Sequence, residues 1–96
     1  TLGWYESLDE NAREHLAAYL GPDSTDMPWA LNRAAMASVA HLSVIPLQDW
    51  LELDGAHRMN QPGVREGNWQ WRFEWDWISP ELPGRIRALL ELYGRA

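Results

Sequence analysis

No cysteine and no lysine occur among the 96 residues, and all eight basic side chains are arginine. Without thiols, disulfides and thiolate metal sites are excluded, a composition that fits an intracellular, cytoplasmic protein. No apolar run approaches the ~18 residues that a transmembrane helix needs. A charged n-region followed by an apolar h-region is missing too, and the first residue is Thr1 rather than Met, which leaves a removed segment or an excised piece open.

Positive charge is scarce. A formal net charge of −6 and scattered arginines oppose binding to nucleic acid or to an anionic membrane, so a neutral partner is expected. His15, His41 and His57 lie far apart without metal-ligand spacing, and nothing implies a metal or other cofactor. Motifs for a nucleophile elbow, a phosphate-cradling glycine loop and Cys/His chemistry are all lacking. Asp49 with Glu52, and Glu74 with Asp76, are carboxylate pairs by spacing alone, and such spacing is common on solvated faces.

What is present is an ordinary globular balance, 46% apolar and 23% charged, sized for one small domain, with seven tryptophans as its one oddity. Trp usually packs in cores, and it also stacks on flat apolar faces. Ser7 and Glu10 have capping-box spacing, and Leu8, Ala12, Leu16, Tyr19 and Leu20 recur along one face of a helix expected at about 8–20. Gly21-Pro22 stops it, and the turn-rich PDSTDMP connects to a second helix at about 28–40 that starts at Pro28 and carries Leu31, Ala34, Ala35 and Val39 on one side. A last helix at about 80–93 takes Ser79 as N-cap and Pro80 as first residue, with Leu82, Ile86, Leu89, Leu90 and Tyr93 on one face, Gly94 beyond its end, and a first turn that Pro83-Gly84 distorts or restarts.

Between the second and last helices the pattern changes. Leu42, Val44 and Ile45 read as a strand at about 42–47 buried on both faces, yet a lone strand leaves its backbone groups without partners. One candidate partner is NWQWRFEWDW, where Trp69, Trp71, Phe73, Trp75 and Trp77 alternate strictly with polar residues. This aromatic row either packs on helices or stacks sugars.

A long loop at 54–77 carries Gly55, Pro62, Gly63 and Gly67, and turns several times. Asn60 and Gln61 both donate and accept, as hydroxyl-rich neutral ligands require. Arg58, Arg65 and Arg72 have the ordinary role of tying such a loop to carbonyls and carboxylates such as Glu66.

VIPLQD at 44–49, RMNQPG at 58–63 and GNWQWR at 67–72 resemble, in order and spacing, the carboxyl-terminal part of the 4-α-glucanotransferases called amylomaltases or disproportionating enzymes. TLGWYESL and SPELPGRIRALLELYGRA resemble the flanking segments, so the likeness covers essentially the whole chain. It implies an α/β fold: a fragment of a (β/α)₈ TIM barrel, mostly helical, with residues 42–47 as the eighth strand and the long loop at the active-site end. Strands one and seven, outside the fragment, would flank it.

The resemblance also implies transfer of α-1,4-glucan segments between maltooligosaccharides with retention, which calls for two carboxyl groups about 5 Å apart. By the same resemblance those groups, and a third in a Thr-His-Asp-Asn-Asp motif ending before Thr1, lie upstream, so the chain alone is expected to be inactive. Asn60 would face the donor-side sugars, and Pro62-Gly63 would shape the same wall. Trp69, Trp71 and Arg72 would be scaffolding for the loop. Two rival readings are a stand-alone Trp-rich glucan-binding module and a helical domain that binds protein through its aromatic face. In isolation, apolar faces meant for a barrel would be exposed and would favour self-association.

Overall fold

The computed structural model describes residues 1–22 and 24–96; Asp23, within the expected connector, lies outside the described residues. Its helices are α1 (Leu2–Glu6), α2 (Glu10–Leu20), α3 (Trp29–Ala37), α4 (Leu47–Trp50) and α5 (Leu82–Leu92), with 3₁₀ turns at Gly55–His57 and Trp75–Trp77. Helix α3 is the centre, and α2, α4 and α5 each pack against it.

Local chemistry sets the helix ends. The Ser7 hydroxyl donates to the Trp4 carbonyl at 2.6 Å and so closes α1, while the cap of α2 is Asp9, whose Oδ1 accepts the Ala12 N–H at 2.8 Å. The Ser7 capping box expected from sequence is therefore replaced by an Asp cap two residues later, which also places a negative charge at the N-terminus of the helix. Arg13 reaches back to the Glu6 carbonyl at 3.0 Å and lies 4.8 Å from the centre of the Tyr5 ring, joining α2 to α1. Gly21, at φ +83°, ends α2 in the region that costs glycine least.

At α5 the expected Ser79 cap is again displaced. The helix starts at Leu82, and Ser79 takes part only through its carbonyl, which accepts the Leu82 N–H at 3.2 Å. Pro83 falls in the first turn, where no N–H donor is required, and Pro80-Glu81 form a turn ahead of the helix rather than its first residues. At the other end Gly94 (φ +69°) donates to Glu91 at 3.2 Å and Arg95 donates to Leu90 at 2.8 Å, the paired bonds of a Schellman motif. That reversal aims the Arg95 guanidinium at the end of α3 and the residues just beyond it, whose carbonyls it satisfies: Met36 at 2.8 Å, Ser38 at 3.2 Å and Ala40 at 2.8 Å. Consistently, α3 ends at Ala37 and does not reach residue 40.

The core is Trp29, Met36 and Leu89, with Ile45, Trp50, Leu82, Ile86, Leu90 and Tyr93 packed round it. Trp29 is only 2% exposed; the Trp50 ring meets it edge-on at 5.3 Å, and the Arg85 guanidinium lies 3.5 Å from its ring centre. Two of the seven tryptophans, Trp29 and Trp50, thus sit where α3, α4 and α5 converge.

Among the described residues no strand forms. Residues 42–46 have no ladder partner, and Leu42 and Val44 are 77% and 80% exposed rather than buried on both faces. A strand exists only where a neighbour takes its N–H and C=O groups, and this segment has none here. The alternating aromatic segment likewise forms no ladder: Trp71 and Phe73 are half-buried, Trp69 and Trp75 are exposed, and its end winds into the Trp75–Trp77 turn.

Candidate functional site

Pro46 ends the extended segment, and the one-turn helix α4 follows at once, carrying Gln48 and Asp49 toward the amino-terminal residues. Asp49 is buried at 6% exposure, and its carboxylate has two partners: the Thr1 hydroxyl donates at 2.7 Å, and the Thr1 nitrogen lies 3.0 Å from the other oxygen. Its carbonyl accepts from buried Asn32 on α3 at 3.2 Å. Asp49 is therefore occupied in holding three segments together. Glu52, its neighbour by spacing, is exposed at φ +59°.

Thr1, Pro46, Gln48, Asp49, Leu53, Asp54, His57, Arg58, Met59 and Asn60 surround a cavity of about 230 Å³. Hollows of about 440 Å³ beside Arg95 and about 370 Å³ between Tyr19 and Tyr93 hold no residue of the long loop, and one of about 270 Å³ between Trp29 and Arg85 holds only its last residue, Trp77. Of the three residues expected to touch a sugar chain, Asn60 lines the 230 Å³ cavity, and Pro62 and Gly63 lie beyond its rim. Asn60 is exposed, and its side-chain amide makes no hydrogen bond among the described residues, which leaves its donor and acceptor free for a ligand. Pro62 and Gly63 form a turn with Gly63 at φ +84° and Val64 N–H donating to the Gln61 carbonyl at 3.1 Å, as a type II turn requires.

The loop's scaffold differs from the expectation. Arg58, Arg65 and Arg72 are exposed and make no hydrogen bond or ion pair among the described residues, so they do not tie the loop down. Asn68 does: its Oδ1 accepts the Gln61 N–H at 2.9 Å and its Nδ2 donates to the Val64 carbonyl at 2.7 Å, bridging the chain across the turn. No sequence pattern marked Asn68; it sits between Gly67 (φ +80°) and Trp69 (φ +63°), two left-handed residues that fold the chain back on itself. Trp69 closes the neck through its main chain, donating to the Met59 carbonyl, while its indole is 71% exposed; it anchors by backbone and not by ring.

Trp71 is the aromatic anchor. Its Nε1–H donates to His57 Nδ1 at 3.1 Å, and its ring lies 6.3 Å from Phe73 and 6.2 Å from Trp77. His57 in turn meets Trp77 edge-on at 5.4 Å, and its carbonyl accepts from Gln48 at 3.3 Å. Among the described residues no group of three or more His, Asp or Glu side chains is placed to hold a metal ion.

A free amide on a cavity wall, carried by a pinned loop with aromatic anchoring, suits a neutral polyhydroxyl ligand but does not by itself name one. Comparison with known proteins is decisive. The family model described as 4-alpha-glucanotransferase matches residues 1–78. The chain belongs to the 4-alpha-glucanotransferase family.

It is 41% identical to the 4-alpha-glucanotransferase of Synechocystis over 99% of its own length, and 41% identical to that of Thermus thermophilus over 95%. The chloroplastic/amyloplastic 4-alpha-glucanotransferase DPE1 of Oryza sativa subsp. japonica is 40% identical over 98% of the chain. Among solved structures, the amylomaltase from Streptococcus agalactiae in complex with acarbose superposes with a TM-score of 0.85 at 26% identity, covering 98% of this chain and 19% of that one. The chain spans about a fifth of the length of these relatives, 19% of the Synechocystis and Thermus proteins and 16% of the rice protein. No helix among the described residues is long and apolar enough to cross a membrane.

Proposed function

We propose that this chain is the carboxyl-terminal segment of a 4-α-glucanotransferase that moves α-1,4-glucan segments between maltooligosaccharides with retention, and that its loop supplies one wall of the glucan groove. The match of residues 1–78 to the family carries the reading. On it, Asn60 hydrogen-bonds the hydroxyls of donor-side sugars, and the Pro62-Gly63 turn sets the outline of the wall. The nucleophile and the acid/base lie elsewhere in the protein; Asp49 is buried and accepts the Thr1 hydroxyl while its carbonyl accepts from Asn32, so it is not their substitute. The isolated chain is therefore inactive, and the protein works in the cytoplasm.

The same reading accounts for the open segment. As the eighth strand of a (β/α)₈ barrel, residues 42–47 would gain neighbours on both sides, and the exposed Leu42 and Val44 would be covered. Without those neighbours the chain would associate with itself.

The test is the full-length protein acting on maltotriose. Transfer products with the anomeric configuration retained support the reading, and Asn60→Ala should lower turnover several-fold, as loss of a hydrogen bond of about 0.5–1.5 kcal/mol does. A change below about twofold, or about 0.4 kcal/mol, would remove Asn60 from the groove. A second reading, an autonomous glucan-binding module, is favoured by the exposed indoles of Trp69 and Trp75, at 71% and 78%. It requires saturable shifts of indole N–H signals when maltoheptaose is added to the isolated chain.

A further inference from the structure

We infer that His57 is a positioning residue for the Asn60 wall: its unprotonated Nδ1 holds Trp71, and protonation of the imidazole lets the far side of the loop go.

The indole Nε1–H can only donate, so at 3.1 Å from it His57 Nδ1 has to be the acceptor, and the neutral ring carries its proton on Nε2. This bond joins residues 14 apart, and the enclosed loop contains Asn60. The near end is fixed independently, since the His57 carbonyl accepts from Gln48 on α4 and the ring stands edge-on to Trp77, 5.4 Å away at 84°. Inside the loop, Asn68 and the Trp69 main chain keep the neck together, so they transmit the position of Trp71 to Asn60. His57 thus acts on the wall through Trp71 and does not itself need to touch a sugar.

A second ring proton turns Nδ1 from acceptor to donor and sets two N–H groups against each other. The charged groups about His57 are Asp54 and Arg58 on its own turn and Asp49 from α4, all on the wall of the cavity that His57 lines, with Asp49 engaged by Thr1. The segment packed on its ring carries Arg72, Glu74 and Asp76, and α1, which packs on the 3₁₀ turn, carries Glu6. None of these replaces the lone pair that Trp71 uses. The protonated ring retains its edge contacts with Trp77 and Trp71 but has to give up the hydrogen bond that orients the Trp71 indole.

The experiment uses full-length protein with ¹⁵N-labelled tryptophan, the Trp71 indole signal being identified by Trp71→Phe. On acidification that signal should move from a hydrogen-bonded to a free position. His57→Asn places a carbonyl oxygen near the site of Nδ1 that cannot gain a proton, so the Trp71 signal should stay bonded throughout. His57→Phe should leave it free throughout; if that variant fails to fold, wild type against His57→Asn decides. A Trp71 signal indifferent to pH in the wild type, or one that titrates equally in His57→Asn, would overturn the inference. The catalytic consequence rests on the proposed groove: His57→Asn should flatten the acidic fall in maltotriose turnover. Because the indole readout needs no glucan, a protein without transferase activity would sink the groove and leave the His57 result to be judged by itself.

Discussion

Gly3 and Gly55 meet backbone to backbone, so closely that a Cβ built on Gly3 would lie 2.6 Å from both the Cα and the nitrogen of Gly55. The contact is not symmetrical: a Cβ on Gly55 would find Gly3 Cα at an ordinary 3.7 Å. Gly3→Ala should therefore destabilise the chain by about 1–2 kcal/mol, because forced overpacking of about 1–3 kcal/mol exceeds the helix-propensity gain of up to about 1 kcal/mol. Gly55→Ala should be close to neutral. Urea unfolding of the two variants side by side checks the asymmetry, and equal losses would contradict it.

Asn68→Ala should cost the loop its internal brace. Both bonds of the side chain lie at the surface, where water replaces much of what is lost, so global stability should fall by no more than about 1 kcal/mol. The local effect is larger in relative terms: hydrogen exchange at the Gln61 amide should accelerate about tenfold. Asn68→Asp keeps the acceptor for that amide and loses the donor to Val64, so it should preserve most of the protection.

Arg95 binds three carbonyls with a planar fork, and a lysine ammonium at that position cannot span them. Arg95→Lys should accordingly lower stability nearly as much as Arg95→Met, by about 1–2 kcal/mol. Chemical denaturation midpoints measure this, and full rescue by lysine would show that charge alone matters there.

Arg85 has two neighbours of unequal weight. Its ion pair with Asp26, 3.6 Å long and half-exposed, should contribute little, so Asp26→Asn is expected to change stability by less than about 0.5 kcal/mol. The guanidinium also covers Trp29 at 3.5 Å, and Arg85→Ala should cost about 1–2 kcal/mol through lost stacking and packing. Thermal unfolding of both variants separates the two contributions.

The sequence is most legible where neighbours in space are neighbours in the chain. Leu82, Ile86, Leu89, Leu90 and Tyr93 repeat at helical spacing, and all five face the core. Cap assignment was harder, because Ser7 and Ser79 have the right chemistry while Asp9 and the Ser79 carbonyl have the right geometry. Patterns of strand type at 42–47 and 69–77 describe what a segment would do beside a partner, and no partner ladder forms among the described residues.

Within the candidate site, Asn60, Pro62 and Gly63 come from the resemblance that RMNQPG carries, and of the three Asn60 lines the cavity. Asp49 could be read only as half of a carboxylate pair, since its partner Thr1 is 48 residues away. The bond between His57 and Trp71 was likewise invisible in periodicity, as it depends on how two left-handed residues, Gly67 and Trp69, bend the intervening chain.

The Arg95 clamp also bears on the order in which the fold is completed. The carbonyls of Met36, Ser38 and Ala40 precede their common donor by 59, 57 and 55 residues. During synthesis the end of α3 therefore emerges with these groups turned to water, and it is sealed only once α5 has formed and reversed direction at Gly94. A ribosome that stalls between α4 and α5 would display a helix whose last turn is still open, a region for chaperones and proteases to act on.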